Sequence, residues 1–210
     1  MIISLDPQNM EQVKAVSRLH DELLNESPIA QLGELFMEKV YYSSLIKNRL
    51  FFCDLYFNND KYIGFISYTN DPANFMQIGL KKNFIIISFI MLQSIIKKPA
   101  LTKTVYNVCQ DMLKRKTISH HRNEIVEGEI LSFGVTKEGV NIKDIKTGKR
   151  APHLLFERAI EYFRIEGIKK CKLTVLKDNK AALLFYLSYG GRIIDNQYAG
   201  GKSYRLEFSV

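Results

Sequence analysis

The chain has 210 residues, of which 46% are hydrophobic and 25% charged, so it is long enough to bury a core of its own. Its formal net charge of +8 favours a polyanionic partner, which charge alone does not identify as nucleic acid, an anionic membrane surface or a phosphorylated cofactor. The basic residues are scattered and accompany no nucleic-acid-reading motif, so sequence-specific binding to nucleic acid is disfavoured.

The first part of the chain combines β-prone runs with helical patterns. Residues 1–10 are interpreted as a first strand. Apolar residues at helical spacing predict one helix over 9–24 and a second over 28–48, with Pro28 in its first turn. Two β-prone runs within 49–70 are separated by the turn-rich tripeptide Asn-Asn-Asp and predict a hairpin.

An apolar run with flanking lysine pairs occupies residues 84–96. Spanning a bilayer takes about 20 apolar residues, so the run is too short for that role. A buried or half-buried helix is the favoured interpretation, and a helix lying on a membrane or a partner is the alternative. After Pro99 we expect a basic helix over 101–116 and a polar loop over 117–128.

The second part of the chain alternates strands with helices. The predicted elements are a strand (129–135), a polar loop (136–150), a helix (151–167), a strand (171–177), a helix (178–191) and two closing strands (191–197 and 203–210). This order, after two helices and a hairpin, predicts an α/β or α+β fold with a mixed sheet.

The cysteines and histidines form no metal or disulfide pattern. Cys53, Cys109 and Cys171 are an odd number and lie far apart, while His120 and His121 are adjacent and would face in opposite directions. The amino terminus lacks the basic and apolar regions of a secretory signal. We therefore expect a cytoplasmic protein that uses no metal.

Two segments contain candidate functional residues. Gly148 and several cations precede the helix at 151, and the free N–H groups and dipole of a helix start suit a pyrophosphate, although a solvated basic loop explains the same residues. In the late helix, Asn179 can act as the amino-terminal cap and Gly190 as the carboxy-terminal one. Tyr186 fits a core position, but its phenol can also donate a proton in a cleft.

Residues 129–191 resemble the GNAT superfamily of acyl-CoA-dependent N-acyltransferases. The late helix of that superfamily has the pattern Asn-x-x-Ala-x-x-(Leu/Phe)-Tyr-x-x-x-Gly-Phe. The matching residues are Asn179, Ala182, Phe185, Tyr186 and Gly190. Gly191 stands where phenylalanine is usual. The resemblance implies a GNAT fold with a mixed, mostly antiparallel sheet flanked by helices, and acetyl-CoA as cosubstrate.

The resemblance also implies roles for individual residues. Tyr186 would protonate the thiolate of CoA, and Asn179 would belong to the cofactor site. The segment "LSFGV" is similar to the splayed strand whose backbone pairs with pantetheine, which implies contacts from Phe133 and Val135. Glu129 lies six residues before Val135, where some members have a general base. The alternative is that a water relay deprotonates the amine and that Glu129 is only a solvated residue at the start of the strand.

The pyrophosphate loop departs from the family pattern (Gln/Arg)-x-x-Gly-x-(Gly/Ala). Lys146, Lys149 and Ala151 occupy its three defined positions, so Lys149 replaces the central glycine and Gly148 lies one residue early. About six extra residues precede the loop relative to the usual spacing. A lysine restricts the backbone where glycine is free, although it adds charge. Together with Arg150, these residues are the expected cofactor contacts.

The prediction is a single GNAT-like domain over 1–210, with 81–128 as a helical insertion, that acetylates a primary amine by direct transfer in a ternary complex. Similarity of the amino-terminal part to GNATs found with sugar and polysaccharide enzymes favours an amino sugar, free or nucleotide-linked. Protein amines, polyamines and antibiotics stay alternatives. A different hypothesis is a non-catalytic module that binds acyl-CoA, a partner or a membrane surface, the last through 84–96. A homodimer is left open.

Overall fold

The computed structural model describes residues 1–97 and 127–210. The expected basic helix, nearly all of the polar loop after it with its two histidines, and Cys109 lie outside the described residues. No described helix is long and apolar enough to cross a membrane.

Seven strands form one mixed sheet, as predicted. They are β1 (Ile2–Ser4), β2 (Phe52–Asn58), β3 (Lys61–Thr69), β4 (Glu127–Val135), β5 (Lys170–Leu176), β6 (Arg192–Tyr198) and β7 (Ser203–Ser209). Their order in the sheet is β1-β2-β3-β4-β5-β7-β6. Only the central β4–β5 pair is parallel. The predicted hairpin joins β2 to β3 through Asn59 and Asp60, whose positive φ angles of 46° and 59° are those that a tight two-residue turn requires.

Helices cover both faces of the sheet. They are α1 (Met10–Leu23), α2 (Glu34–Phe36), α3 (Phe75–Lys82), α4 (Phe84–Lys97), α5 (Ala151–Ile165) and α6 (Lys180–Ser188), with a π-helical segment (Met37–Leu45) directly after α2. Helix α1 and the π-helical segment pack on one face of β2 and β3, and α5 packs on the other face. Two hydrophobic cores therefore lie back to back across the sheet.

The prediction of one continuous helix over 28–48 is wrong. Pro28 precedes a short 3₁₀ turn, Ala30–Leu32, and Gly33 then adopts a φ of +90° that no helix contains. The regular helix begins only at Glu34. Of the apolar residues at helical spacing, Leu35 is 40% exposed, and the buried ones are Leu32, Phe36, Val40 and Leu45. Apolar spacing carries no information about a left-handed glycine, so it does not predict this break.

Helix α5 packs directly on the sheet at Gly128, which has no side chain. A Cβ added to Gly128 in β4 would lie 2.4 Å from the ring of Phe163, so the helix approaches the strand at a distance that only glycine allows. This contact fixes the carboxy-terminal half of α5 against the start of β4. The amino-terminal half of α5 then lies beside the far end of the same strand.

His20 lies at the centre of the core between α1 and the sheet. Its ring stacks on Phe65 with centroids 5.6 Å apart, its Nδ1 lies 2.6 Å from the hydroxyl of Tyr42, and its Nε2 lies 2.8 Å from the hydroxyl of Ser27. Hydroxyl groups can serve either ring nitrogen as donor or acceptor, so the neutral imidazole is fully satisfied. Burial lowers the pKa of His20 to about 4.

We expect His20 to make folding sensitive to acid. The pKa of the folded state lies below the ordinary value of 6.5, so the unfolded chain binds the proton more readily. Stability is then complete above pH 6.5 and falls as the pH drops toward 4, by about 3 kcal/mol at most. Urea unfolding midpoints across this range should fall more steeply for the wild type than for His20→Gln. Equal slopes would contradict the assignment.

Candidate active site

The parallel strands β4 and β5 pair only at their beginnings. The register runs from Glu127 opposite Lys170 to Glu129 opposite Lys172, and the strands then diverge. Beyond that point β4 stays paired with β3 as far as Val135, and β5 stays paired with β7. The gap between the diverging halves of β4 and β5 is called the fork below.

The backbone of β4 directs hydrogen-bonding groups into the fork. The N–H of Thr136 donates to the carbonyl of Ile63 in a 2.9 Å hydrogen bond. Because facing groups alternate along an antiparallel pair, Gly134 also faces β3, whereas Phe133 and Val135 direct their N–H and C=O groups away from it. The two residues expected to bind pantetheine thus present a strand edge to which an extended amide chain can add.

Tyr186 lies in an aromatic cluster beside the fork. Its ring centroid is 6.4 Å from that of Phe133 in β4, and the rings of Phe156, Phe185 and Phe208 complete the cluster. Burial raises the pKa of the phenol well above its ordinary value, so Tyr186 carries its proton at neutral pH. The hydroxyl forms no hydrogen bond with any other described residue, which leaves it free for a ligand.

The ends of α6 explain the other residues of its sequence pattern. Asn179 Oδ1 accepts a 3.0 Å hydrogen bond from the N–H of Ala182, and Gly190 adopts the left-handed conformation with φ +81° that ends the helix. A Cβ at Gly191 would lie 2.8 Å from the ring of Phe208, so β7 supplies the aromatic ring at this point of the core. Glycine at 191 therefore lets the end of α6 approach the ring of Phe208 directly.

Glu129 stands where the fork opens and is held in an ion pair. Its Oε1 lies 2.7 Å from Nη1 of Arg205 in β7, and Nη1 also donates to the hydroxyl of Thr174 in β5. The side chains of both Glu129 and Arg205 are 14% exposed. Burial lowers the pKa of Arg205, but the hydrogen bond to Glu129 and the carboxylate charge outweigh it, and the net pKa is raised. The Tyr198 ring covers the guanidinium at 5.2 Å.

Sequence reasoning missed Arg205. The only available signal was strand alternation, which places Arg205 and Glu207 on one face of the last strand; both meet opposite charges there, Glu207 with Lys170 at 3.0 Å. Nothing in the sequence indicated which carboxylate Arg205 would meet, because Glu129 lies 76 positions earlier.

The cationic loop before α5 closes on a carboxylate of its own. Asp144 Oδ1 accepts hydrogen bonds from the N–H groups of Lys146 and Thr147, at 3.1 and 2.9 Å, and from the Thr147 hydroxyl. These bonds, that of the Thr147 N–H above all, lower the pKa of Asp144. Gly148 supplies the left-handed residue of the turn, with φ +68°. Part of the backbone that resembles an anion-binding loop is thus already occupied.

Lys149 does not point its charge at a free anion site. Its Nζ lies 2.8 Å from the carboxylate of Glu157, which is eight residues later, in the second turn of α5. Glu157 Oε1 is also 3.3 Å from the hydroxyl of Tyr189, which lies 2.8 Å from Nδ1 of His153. This network ties the start of α5 to the end of α6. The N–H of Ala151 donates to a carbonyl of the preceding loop.

Lys146 and Arg150, the two cations that flank Lys149 most closely, stay available. Lys146 and Arg150 form no ion pair within residues 1–97 and 127–210. The segment that leads to them contains a 3₁₀ turn, Gly139–Asn141, and one isolated backbone bridge between Lys143 and Arg150.

In the described part of the chain, no group of three histidine, cysteine or carboxylate side chains lies close enough together to hold a metal ion.

Solved acetyltransferase structures share this architecture over the full length of the chain. A GNAT-family acetyltransferase from Streptococcus pneumoniae has a TM-score of 0.54 and 17% identity, with 100% of this chain and 98% of that one covered. The PaiA N-acetyltransferase from Thermoplasma acidophilum, in complex with coenzyme A, has a TM-score of 0.52 and 14% identity, with 100% and 99% covered. A chain of the NatC complex bound to Gag peptide and CoA has a TM-score of 0.54 and 19% identity, and the match covers 100% of this chain and 98% of that one.

No family model matches the sequence, and no curated protein matches it. The structural matches are each below 25% identity, and they show the fold. The chain has the GNAT fold, which confirms the predicted architecture.

Proposed function

We propose that the protein is an N-acetyltransferase that moves an acetyl or related acyl group from acyl-CoA to a primary amine. The fork carries this proposal, because it combines free backbone groups at Phe133 and Val135 with an unpartnered buried phenol at Tyr186. Pantetheine is an extended chain with two amides, so it suits a free strand edge. Residues 1–210 would form one domain, with 81–128 as an insertion.

The proposed chemistry is a direct transfer within a ternary complex. The amine nitrogen attacks the thioester carbonyl, whose developing negative charge is stabilised by a backbone N–H at the open end of β4. The C–S bond then breaks, and the leaving thiolate takes the proton of Tyr186, while a base accepts a proton from the amine. The proposed mechanism uses no metal.

Glu129 is the proposed base, acting directly or through a water. Arg205 engages only Oε1, and Oε2 has no partner among the described residues, so it can accept a proton. The ion pair orients the carboxylate at the point where the strands part, which is near the predicted position of the thioester. Because Arg205 already pairs with Glu129, a protonated amine acceptor would compete with the Arg205 guanidinium for the Glu129 carboxylate.

The cofactor diphosphate would bind at the start of α5. Lys146 and Arg150 supply unpaired charge, and the turn at Gly148 and Ala151 brings the backbone close. Lys149 would add its positive charge once its ion pair with Glu157 is broken. Neighbouring structures support the ligand, since PaiA is in complex with coenzyme A and NAA60 from Arabidopsis thaliana with acetyl-CoA.

One further residue completes the proposed cofactor site. Asn179 uses only its Oδ1 to cap α6, so its amide Nδ2 can face the cofactor.

The proposed acceptor is a nucleotide-linked amino sugar. The net charge of +8 would attract an acceptor that bears a diphosphate. The peptide-bound NatC neighbour makes protein amines the second candidate. A cytoplasmic location stays a prediction.

A non-catalytic acyl-CoA-binding module is the competing function. The contacts of Asp144 and Glu157 weaken the hold of the loop on a diphosphate, and a weakened cofactor site favours a module that has no catalytic turnover. Calorimetry with acetyl-CoA, followed by thiol release with a panel of amines, separates the two. We expect binding and thiol release that depends on the amine. Binding without release for amino sugars, peptides, polyamines and aminoglycosides would favour the module.

Tyr186→Phe tests the proposed acid. Removing the hydroxyl should lower turnover by about 100-fold, the usual contribution of a general acid, while the dissociation constant of acetyl-CoA stays nearly unchanged. Tyr189→Phe is the matched control, because it removes a phenol of the same helix end that faces His153 and not the fork. Equal turnover in wild type and Tyr186→Phe would exclude Tyr186 from the chemistry.

Glu129→Gln tests the proposed base. The variant should lower kcat/KM by about 100-fold and flatten the acidic limb of the pH-rate profile, because the titrating carboxylate is gone. Arg205→Lys keeps a cation beside Glu129 and should retain that limb. Thermal melts of both variants identify any loss of folding. An acidic limb that persists in Glu129→Gln would assign the base to another group.

A further inference from the structure

Helix α4 exposes apolar side chains to solvent. Phe84, Ile85 and Phe89 are 70%, 82% and 60% exposed, and together they are called the α4 face below. The opposite side of the helix is also apolar, because Ile87 and Ile90 are buried in the core that contains His20. A helix that is apolar all round is normally buried on all sides, and no described part of the chain supplies that cover for the α4 face.

The attachment of α4 to the rest of the protein fixes the direction of this face. Asn83, just before the helix, accepts a 2.5 Å hydrogen bond from the hydroxyl of Ser44 and donates to the carbonyl of Gly79 at 2.8 Å. A Cβ at Gly79 would lie 2.3 Å from Leu45, so α3 is packed tightly on the π-helical segment. The α4 face is therefore presented outward by a rigid support.

A rim of unpaired positive charge adjoins the α4 face. Lys81 and Lys82 end α3 directly before α4, and Lys82 Nζ donates to the side chain of Asn48 at 3.2 Å, which places Lys47 and Arg49 beside them. All four cations are exposed. None of them forms an ion pair with a carboxylate in the described residues, whereas six cations elsewhere do. These four residues are called the basic rim.

We propose that the α4 face and the basic rim dock on the surface of an anionic lipid bilayer. The apolar side chains enter the boundary between headgroups and acyl chains, and the cations meet the lipid phosphates and carboxylates. At 14 residues, α4 is too short to span the bilayer and lies in its plane. This docking is independent of acetyl transfer.

The charge of the rim favours a bilayer over a second copy of the chain. A symmetric dimer through the α4 face would use the same patch twice and bring two basic rims together. Like charges placed opposite each other at an interface oppose association. An anionic membrane satisfies the apolar side chains and the cations at once.

Co-sedimentation of the full chain with lipid vesicles tests the proposal. We expect binding to vesicles of phosphatidylcholine mixed with phosphatidylserine, little binding to phosphatidylcholine alone, and weakening by added salt. The double variant Ile85→Gln with Phe89→Gln should reduce partitioning by at least about tenfold, because two apolar side chains leave the lipid. Lys81→Glu with Lys82→Glu should remove the preference for anionic vesicles.

Leu184→Gln on α6 is the matched control, since Leu184 is 67% exposed and distant from α4 in sequence; its binding to vesicles should equal that of the wild type. Failure to bind anionic vesicles, or equal binding by the Ile85 and Phe89 double variant, would overturn the proposal. So would a dimer in solution that this double variant dissociates. Accessibility of the α4 face is checked with Ile85→Cys and a water-soluble maleimide in the absence of lipid. If the maleimide does not label the introduced thiol, other residues of the chain cover the face and the proposal is overturned.

Discussion

The parting of β4 from β5 is the constraint on which the rest of the structure depends. Backbone N–H and C=O groups that leave a sheet must find other partners, and at Phe133 and Val135 no strand within residues 1–97 and 127–210 provides them. The protein tolerates this gap because β4 is held from its other side by β3, and because Arg205 links Glu129 to Thr174 across the opening. A ligand that completes these hydrogen bonds would meet a preformed edge.

The two ends of the proposed cofactor site solve different electrostatic problems. At the fork, the phenol of Tyr186 is kept neutral by aromatic surroundings, so its proton is available but weakly acidic. At the start of α5, Lys149 is paired with Glu157, and Asp144 accepts hydrogen bonds from the backbone of the loop. These two carboxylates stabilise the loop and compete with a phosphate for the same groups, so affinity and stability oppose each other there.

Most of the secondary structure was predictable, because caps and periodicity act locally. Helix α6 follows directly from Asn179 and Gly190, and the β2–β3 hairpin from its turn residues. The predictions failed where conformation or pairing is not local. Gly33 breaks a helix whose apolar spacing continues through it. The partner of Glu129 was equally hidden, because side chains from distant strands meet only after the sheet has formed.

Gly191 is enclosed by two elements at once, the end of α6 and strand β7. A Cβ at this position would lie 2.8 Å from the ring of Phe208 and 2.9 Å from the carbonyl oxygen of Tyr186. A smaller residue at 208 would therefore open only one side of the space. The backbone that follows Tyr186 is thus seated directly on β7, with no side chain between them.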